Sequence, residues 1–151
     1  MKIEEEIKQR KRFKNEFVKL DVNLMFTASW LGGLKSEILK PYKISWQQFN
    51  ILRILKGRHP KPAAIKTLTE RMIDRTSNTS RLVDKLTKKG LVSRTVNEKD
   101  RRRMDVNITE KGLELLETCS KELEGTMTKK LSSLTKDEAL KMNELLNKIR
   151  T

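Results

Sequence analysis

Five consecutive residues near the middle of this 151-residue chain carry side chains that can form hydrogen bonds with the edges of nucleic-acid bases: Arg75, Thr76, Ser77, Asn78 and Thr79. An asparagine can bond adenine through its oxygen and its nitrogen together, while serine and threonine can each donate or accept. A threonine methyl group can also pack against the methyl group of thymine. These residue types in one run therefore predict a segment that reads the bases of DNA.

This run lies at the start of a helix that the spacing of apolar residues predicts from about Thr76 to Lys89. Arg81 and Lys85 are four residues apart, so they share one face of that helix and are placed to contact phosphate. A simpler interpretation is that the polar run only caps the helix, because serine, threonine and asparagine are preferred at helix starts. Capping and base contact do not exclude each other, and both interpretations stay open.

A second cluster of cations follows at the tip of a predicted hairpin, which contains Lys99, Asp100, Arg101, Arg102 and Arg103. A solvated hairpin tip is the simpler interpretation of this cluster. Three consecutive arginines repel one another, however, and phosphate groups would neutralise that repulsion. Asp100 could orient Arg102 through a local ion pair and direct its guanidinium into a narrow minor groove. We therefore expect this tip to be a second element that contacts DNA.

The positive charge of the chain is concentrated around these two clusters. Residues 53–111 contain 17 Lys and Arg against 7 Asp and Glu, which accounts for +10 of the net charge of +14. Residues 112–151 are balanced in charge. A localised excess of this kind is the electrostatic footprint of a nucleic-acid-binding protein.

Length and composition restrict the class of protein. The chain has the length of one ordinary domain and can bury a hydrophobic core. No apolar run approaches the roughly 18 residues that a membrane span needs, and the N-terminus lacks the apolar core of a signal peptide. The single cysteine, Cys119, excludes an internal disulfide framework. We expect a cytoplasmic protein with no membrane partner.

The elements before the reading segment are predicted to be helices. Apolar residues occur at helical spacing from Ile3 to Leu31, and we expect Gly32–Gly33 to end or kink this helix. Pro41 should break the chain before the next helix. Ser45–Gln48 fits a capping box, and the helix that it opens should bury the side chains of Phe49, Leu52 and Leu55.

The centre of the chain is predicted to be a helix, a turn, a helix and a hairpin. After a loop that includes His59–Pro62, a short helix should bury Ile65, Leu68 and Met72. Leu91–Val96 is rich in strand-forming residues, and Met104–Ile108 alternates apolar and polar residues, so the two segments predict a hairpin with one packed face. This order predicts a mainly α fold with a small β-hairpin wing, which is a winged helix-turn-helix.

Two further helices follow, because Thr109 and the capping box Thr135–Glu138 each precede a helical pattern. Long amphipathic helices thus flank the centre, and a small wing domain cannot cover both of their apolar stripes. Pairing with a second copy would cover them and give a two-fold dimer. In a single-domain chain we expect dimerisation helices at 1–40 and 112–151 and a DNA-binding region at 41–111.

Several segments resemble the multiple-antibiotic-resistance regulator (MarR) family. They are Gln48–Leu55, Thr79–Val92, the wing residues 100–102 and Ile108–Gly112, and together they cover roughly residues 45–115 in the family's order. The ends of the chain match that family only in length and helical character.

The resemblance implies a homodimeric bacterial or archaeal transcriptional regulator with a winged-helix fold. Such a protein binds a pseudo-palindromic operator, usually as a repressor, and releases it when a small, often phenolic, effector binds. By motif match, Asp100 and Arg102 take the family's wing aspartate and arginine, and residues 76–81 take the start of its recognition helix. No residue of this chain is assigned to an effector.

Other chemistry has little support in the sequence. His59, the only histidine, has no second ligand at metal spacing, and no catalytic set is present, so we expect no enzyme, metal or cofactor. Cys119 lies on or near an apolar stripe and is expected to be a small buried hydrophobe. Two alternatives stay open: a protein-interaction scaffold without specific DNA binding, and a redox-sensing regulator that uses Cys119.

Overall fold

The computed structural model describes all residues, 1–151, and forms two compact units, residues 1–46 and residues 47–151. The first unit contains the short helix α1 (Ile3–Glu6), the long helix α2 (Glu16–Leu39) and a 3₁₀ turn (Lys40–Tyr42). Asn15 caps α2, because its side-chain oxygen accepts hydrogen bonds from the first backbone N–H groups of that helix. The apolar pattern from Ile3 to Leu31 is therefore divided between two helices by a non-helical segment over residues 7–15.

The glycine pair Gly32–Gly33 lies inside α2, where the sequence predicts an end or a kink. A glycine lowers helix stability by about 1 kcal/mol, but it keeps its backbone N–H group, so the hydrogen-bond ladder continues through it. A proline has no N–H group, and α2 ends at Leu39, two residues before Pro41. The predicted end of the helix at the glycine pair is wrong, because α2 continues to Leu39, and the proline prediction is confirmed.

The second unit contains five helices and three short strands: α3 (Trp46–Arg58, whose first residue lies in the first unit), β1 (Ala63–Ala64), α4 (Ile65–Arg71), α5 (Thr79–Lys88), β2 (Val92–Val96), β3 (Met104–Ile108), α6 (Glu110–Leu131) and α7 (Lys136–Ile149). No helix of the chain combines the length and the apolar character that crossing a membrane would require.

The three strands form one antiparallel sheet in the order β1-β3-β2. Strands β2 and β3 pair from Val92 opposite Ile108 to Val96 opposite Met104, which confirms the predicted hairpin. The two-residue strand β1 pairs with the other edge of β3. The sequence pattern does not predict β1, because two alanines show no alternation of apolar and polar residues.

Helix α5 begins at Thr79, three residues later than the sequence predicts. Asn78 is its N-cap, and the residues before Asn78 belong to the turn that follows α4. That turn is longer than predicted because its backbone bonds to Asp74 instead of joining the helix. Thr76 N donates to Asp74 Oδ1 at 3.0 Å, and Ser77 N donates to the Asp74 carbonyl at 3.2 Å.

Most of the predicted core of the second unit and the predicted caps of its last two helices are confirmed, whereas Ile65 of α4 is only half-buried. Phe49, Leu52 and Leu55 of α3 are buried. The side chains of Thr109 and Thr135 cap α6 and α7, and Thr135 does so within the predicted capping box. Fully inaccessible apolar side chains from α4, α5, β3 and α6 complete this core: Leu68, Val83, Leu86, Val106 and Leu116.

Candidate nucleic-acid interface

The turn between α4 and α5 is held in place by two side chains of α3. Asn50, which is 2% exposed, accepts a hydrogen bond at Oδ1 from the backbone N–H of Ile73 at 2.9 Å. Gln47 donates from Nε2 to Asp74 Oδ2 at 3.3 Å. The other carboxylate oxygen of Asp74 accepts from Thr76, through its backbone at 3.0 Å and its hydroxyl at 2.7 Å. The turn is therefore ordered by the protein itself.

Most of the residues predicted to contact bases or phosphates in this segment are open to solvent: Arg75, Thr76, Asn78, Arg81 and Lys85. Ser77 is half-buried, and its hydroxyl oxygen is buried with no hydrogen-bond partner. Thr79 is only 4% exposed, because it shares the inner face of α5 with Val83 and Leu86, four and seven residues later. The side chain of Thr79 is therefore not available to a base, which corrects its place in the predicted reading run.

Besides Thr76, which bonds to Asp74, two exposed side chains of this segment already have partners in the protein. Asn78 Oδ1 accepts a hydrogen bond from the backbone N–H of Arg81 at 3.1 Å, so Asn78 is a true N-cap. Arg75 Nη1 donates to the carbonyl oxygen of Glu70, the penultimate residue of α4, at 2.6 Å. The capping interpretation of the sequence is thus confirmed for Asn78, while its amide nitrogen stays free to bond DNA.

The wing tip is organised by Asn97 at the end of β2. Its Oδ1 accepts from the backbone N–H groups of Lys99 and Asp100, each at 2.9 Å, and its Nδ2 donates to Asp105 on β3 at 2.9 Å. Asp100 Oδ1 in turn lies 3.5 Å from Arg102 Nε and accepts from the Arg102 backbone at 3.1 Å. The predicted ion pair is present, and the Arg102 side chain is 94% exposed. The tip therefore presents its arginines on a defined backbone.

The wing and helix α5 are joined directly. Arg94 of β2 forms an ion pair and a hydrogen bond with Asp84 of α5. A cleft of about 580 Å³ lies between the start of α5, helix α4 and the wing. Its lining includes Lys66, Thr67, Ser80, Arg102 and Arg103. Sequence reasoning missed Ser80, an exposed hydroxyl beside two wing arginines. The signal that could have found it is its position two residues after the cap.

A second junction connects the end of α5 to the start of α6. Gly90 ends α5 with a φ of +73°, a left-handed conformation that glycine adopts without strain. The Thr109 hydroxyl donates to the Gly90 carbonyl at 2.7 Å, and Lys111 Nζ donates to the Lys89 carbonyl at 3.0 Å. Gly112 lies so close to the Leu91 carbonyl that no side chain fits between them. The end of α5 and the start of α6 are therefore closely packed and bonded to each other.

Cys119 is completely buried in α6, and this burial raises the pKa of its thiol above the ordinary value. Its Sγ contacts the Leu116 carbonyl at 3.6 Å. Because the thiolate is the reactive form, we expect a thiol reagent such as Ellman's reagent to react at least roughly tenfold more slowly with the native protein than in denaturant. Equal rates would show that Cys119 is reachable and would revive the redox-sensing alternative.

No group of three or more His, Cys, Asp or Glu side chains is placed to hold a metal ion.

A helix-turn-helix whose exposed polar turn stands beside a basic β-hairpin defines the winged-helix class of DNA-binding proteins. The model of the MarR family matches residues 44–104, which include the helix-turn-helix, β2 and the wing tip up to the first residue of β3. The transcriptional regulator MgrA of Staphylococcus aureus is 31% identical over 116 residues, which are 76% of this chain and 75% of MgrA. The chain belongs to the MarR family, and the family relative MgrA is an HTH-type transcriptional regulator.

Solved structures agree with this assignment. A mutant MarR from E. coli complexed with operator DNA is 26% identical, with a TM-score of 0.76 over 92% of this chain and 99% of that one. The organohalide-sensing regulator RdhR-CbdbA1625 in its 2,4-dichlorophenol-bound form has a TM-score of 0.83 over 94% of this chain and 86% of its own. That protein is 18% identical, so its similarity concerns the fold alone.

Proposed function

We propose that this protein is a cytoplasmic, non-enzymatic regulator that binds a pseudo-palindromic operator as a homodimer. The observation that carries the proposal is that two exposed segments are both held in position by the protein. The turn before α5 is held by side chains of α3, and the arginine wing is held by Asn97. The turn suits base edges in the major groove, and the wing suits the minor groove or its phosphates. Arg81 and Lys85 bind phosphate, together with the cations of the wing.

Exposed apolar side chains on the terminal helices support the homodimer. In α2, Phe17 is 83% and Met25 is 69% exposed, and α7 has no buried residue at all. Met142, Leu145 and Ile149 form an exposed apolar stripe on α7, and such patches mark protein–protein contacts. In this proposal residues 1–40 and 112–151 dimerise and residues 41–111 bind DNA. The two copies of the DNA-binding region then contact half-sites whose centres lie roughly 10 bp apart.

The first test of DNA recognition is selection of bound duplexes from a random pool by the purified protein at about 150 mM salt, where non-specific binding is weak. Enrichment of an inverted repeat would support a dimeric, sequence-specific regulator. Retention without enrichment would contradict sequence-specific reading. If no duplex were retained, the alternative of a protein-interaction scaffold would replace the proposal.

Replacing Leu145 with glutamate should weaken the dimer at least roughly tenfold, because two charges would enter an apolar interface related by the two-fold axis. Sedimentation or light scattering across a concentration series measures this change. Asn143→Glu is the matched control, since Asn143 is exposed on the same helix but lies 200° around it at 100° per residue. If both variants dimerise equally well, the stripe on α7 is not the interface.

In the same proposal the bound dimer represses transcription, and a small aromatic effector relieves repression. Transcription in vitro from a promoter that contains the selected motif tests the sign: added protein should reduce the transcript. The fold neighbour's ligand, 2,4-dichlorophenol, is a suitable first probe for relief. A rise in transcript on adding protein would make the protein an activator instead.

A further inference from the structure

The turn before α5 contains side-chain hydrogen bonds whose directions can be assigned from the chemistry of their partners. The Thr76 hydroxyl lies 2.7 Å from Asp74 Oδ1, and the Thr76 backbone N–H donates to the same oxygen. A carboxylate carries no proton, so the hydroxyl must be the donor in this pair. The only proton of the Thr76 hydroxyl is therefore committed to Asp74.

Asp74 keeps its charge across the neutral range. The hydroxyl and then the backbone N–H of Thr76, followed by Gln47, hold the pKa of the Asp74 carboxyl below its ordinary value. Because the carboxylate stays ionised, its hydrogen bond with the Thr76 hydroxyl keeps the same direction at any pH where the protein functions. The free lone pairs of that hydroxyl and its methyl group are what Thr76 can offer to DNA.

The direction of the Asn78 amide is assigned by the same reasoning. The backbone N–H of Arg81 can only donate, so the side-chain oxygen of Asn78, and not its nitrogen, must face it at 3.1 Å. The nitrogen forms no hydrogen bond within the protein and points its two protons outward as free donors. A bidentate bond to adenine needs the amide oxygen and nitrogen together, so the cap disfavours that contact.

We propose that Asp74 is a specificity-determining residue that acts through Thr76, making Thr76 an acceptor while the helix cap makes the neighbouring Asn78 a donor. This inference rests on the proposed function. Thr76 then selects a base that offers an amino group in the major groove, cytosine or adenine, or packs its methyl group on thymine. Asn78 selects a base that offers an acceptor, such as guanine or thymine. Asp74 itself touches no base and is a positioning residue.

The test compares the base preferences of four proteins in the random-pool selection: the wild type, Thr76→Val, Asp74→Ala and Asp74→Asn. Valine keeps the shape and the methyl group of threonine but has a second methyl group in place of the hydroxyl, so Thr76→Val should lose roughly tenfold of preference for an amino-bearing base at one position per half-site. Asp74→Ala should lose the preference at that same position, because the freed hydroxyl can donate as well as accept. Asp74→Asn should restore it, since an amide oxygen still accepts from Thr76.

A purely structural role for Asp74 would give a different result. A loosened turn would weaken binding to all duplexes and lower the melting temperature, and Asp74→Asn would not restore one base position selectively. Non-specific affinity and melting temperature are therefore measured for each variant. Unchanged base preference in Thr76→Val and Asp74→Ala, beside a clear wild-type motif, would overturn this inference alone. The absence of any wild-type motif would overturn the proposed function, and this inference with it.

The role of Asn78 has its own variant in the same selection. Asn78→Ser keeps a side-chain oxygen for the cap, because serine caps helices about as well as asparagine, but it removes the amide donor. We expect loss of preference at the base next to the Thr76 position, with the melting temperature unchanged. A wild-type preference for adenine over guanine that Asn78→Ser abolishes would contradict the donor assignment, because both purines offer the N7 acceptor and only adenine offers an amino group there.

Discussion

Replacement of Gly112 with alanine should destabilise the protein by about 3 kcal/mol or more, the upper part of the range for overpacked sites. A Cβ atom at this position would lie 2.2 Å from the Leu91 carbonyl oxygen and 2.8 Å from Cγ1 of Ile108. Both distances are far inside van der Waals contact, and the nearer atom belongs to the backbone, so no side-chain rotation relieves the clash. The start of α6 would have to move away from the end of α5.

Thermal and urea unfolding measure this effect, and Gly125→Ala is the matched control. Gly125 lies in the same helix, α6, with open space around its Cα, so its replacement should stabilise the protein by about 0.5–1 kcal/mol through helix propensity. The two variants make the same chemical change with opposite expected signs. If Gly112→Ala were as stable as the wild type, the close packing of α6 on Leu91 would not exist in solution.

Replacement of Arg102 with alanine should weaken DNA binding roughly 25-fold at about 150 mM salt, with little dependence on sequence. One counterion released by one phosphate contact contributes about 1 kcal/mol at this salt concentration, or roughly fivefold in affinity, and a dimer loses two such contacts. The slope of log affinity against log salt should therefore fall by about 2. The fold should be unaffected, because the Arg102 side chain is 94% exposed and its ion pair is with Asp100 of the same exposed tip.

Binding isotherms at several salt concentrations measure both quantities, and Arg150→Ala is the control for charge. Arg150 follows the last helix and bonds only to Asn147, so the control removes the same charge from a different place. Equal weakening by the two variants would mean that net charge, and not the wing, sets the affinity. An unchanged slope in Arg102→Ala would remove the wing from the binding surface.

The two predictions test different parts of one arrangement. Gly112, Thr109 and Gly90 join α5 to α6, and the proposed function assigns α6 to the dimer. Arg102 belongs to the wing, which Arg94 joins to α5 through Asp84. In the proposed dimer, α6 therefore links the dimer interface to α5 and fixes the spacing of the two copies of α5. We expect the DNA affinity of Gly112→Ala to fall together with its stability.

Features that depend on residues close together in the chain followed from the sequence. The hairpin β2–β3, the caps at Thr109 and Thr135 and the ion pair between Asp100 and Arg102 each involve side chains or patterns within a few residues. Their geometry is set by local backbone conformation and by hydrogen bonds over three or four positions. The order of these features was specific enough to indicate the family, while the roles of the predicted site residues stay predictions.

Tertiary packing alone decided which residues of the reading segment face outward. Thr79 has the same residue type as Thr76, but it is buried because it shares the face of α5 that carries Val83. Gln47 of α3, 27 positions earlier in the chain, donates a hydrogen bond to Asp74 and so holds the turn against that helix. The strand β1 exists because β3 offers it a free edge. The sequence by itself determined the winged helix-turn-helix and its basic charge, since both depend on local periodicity and composition. The position of the turn against α3 was decided only by the tertiary structure, because it depends on hydrogen bonds between segments that are distant in the chain.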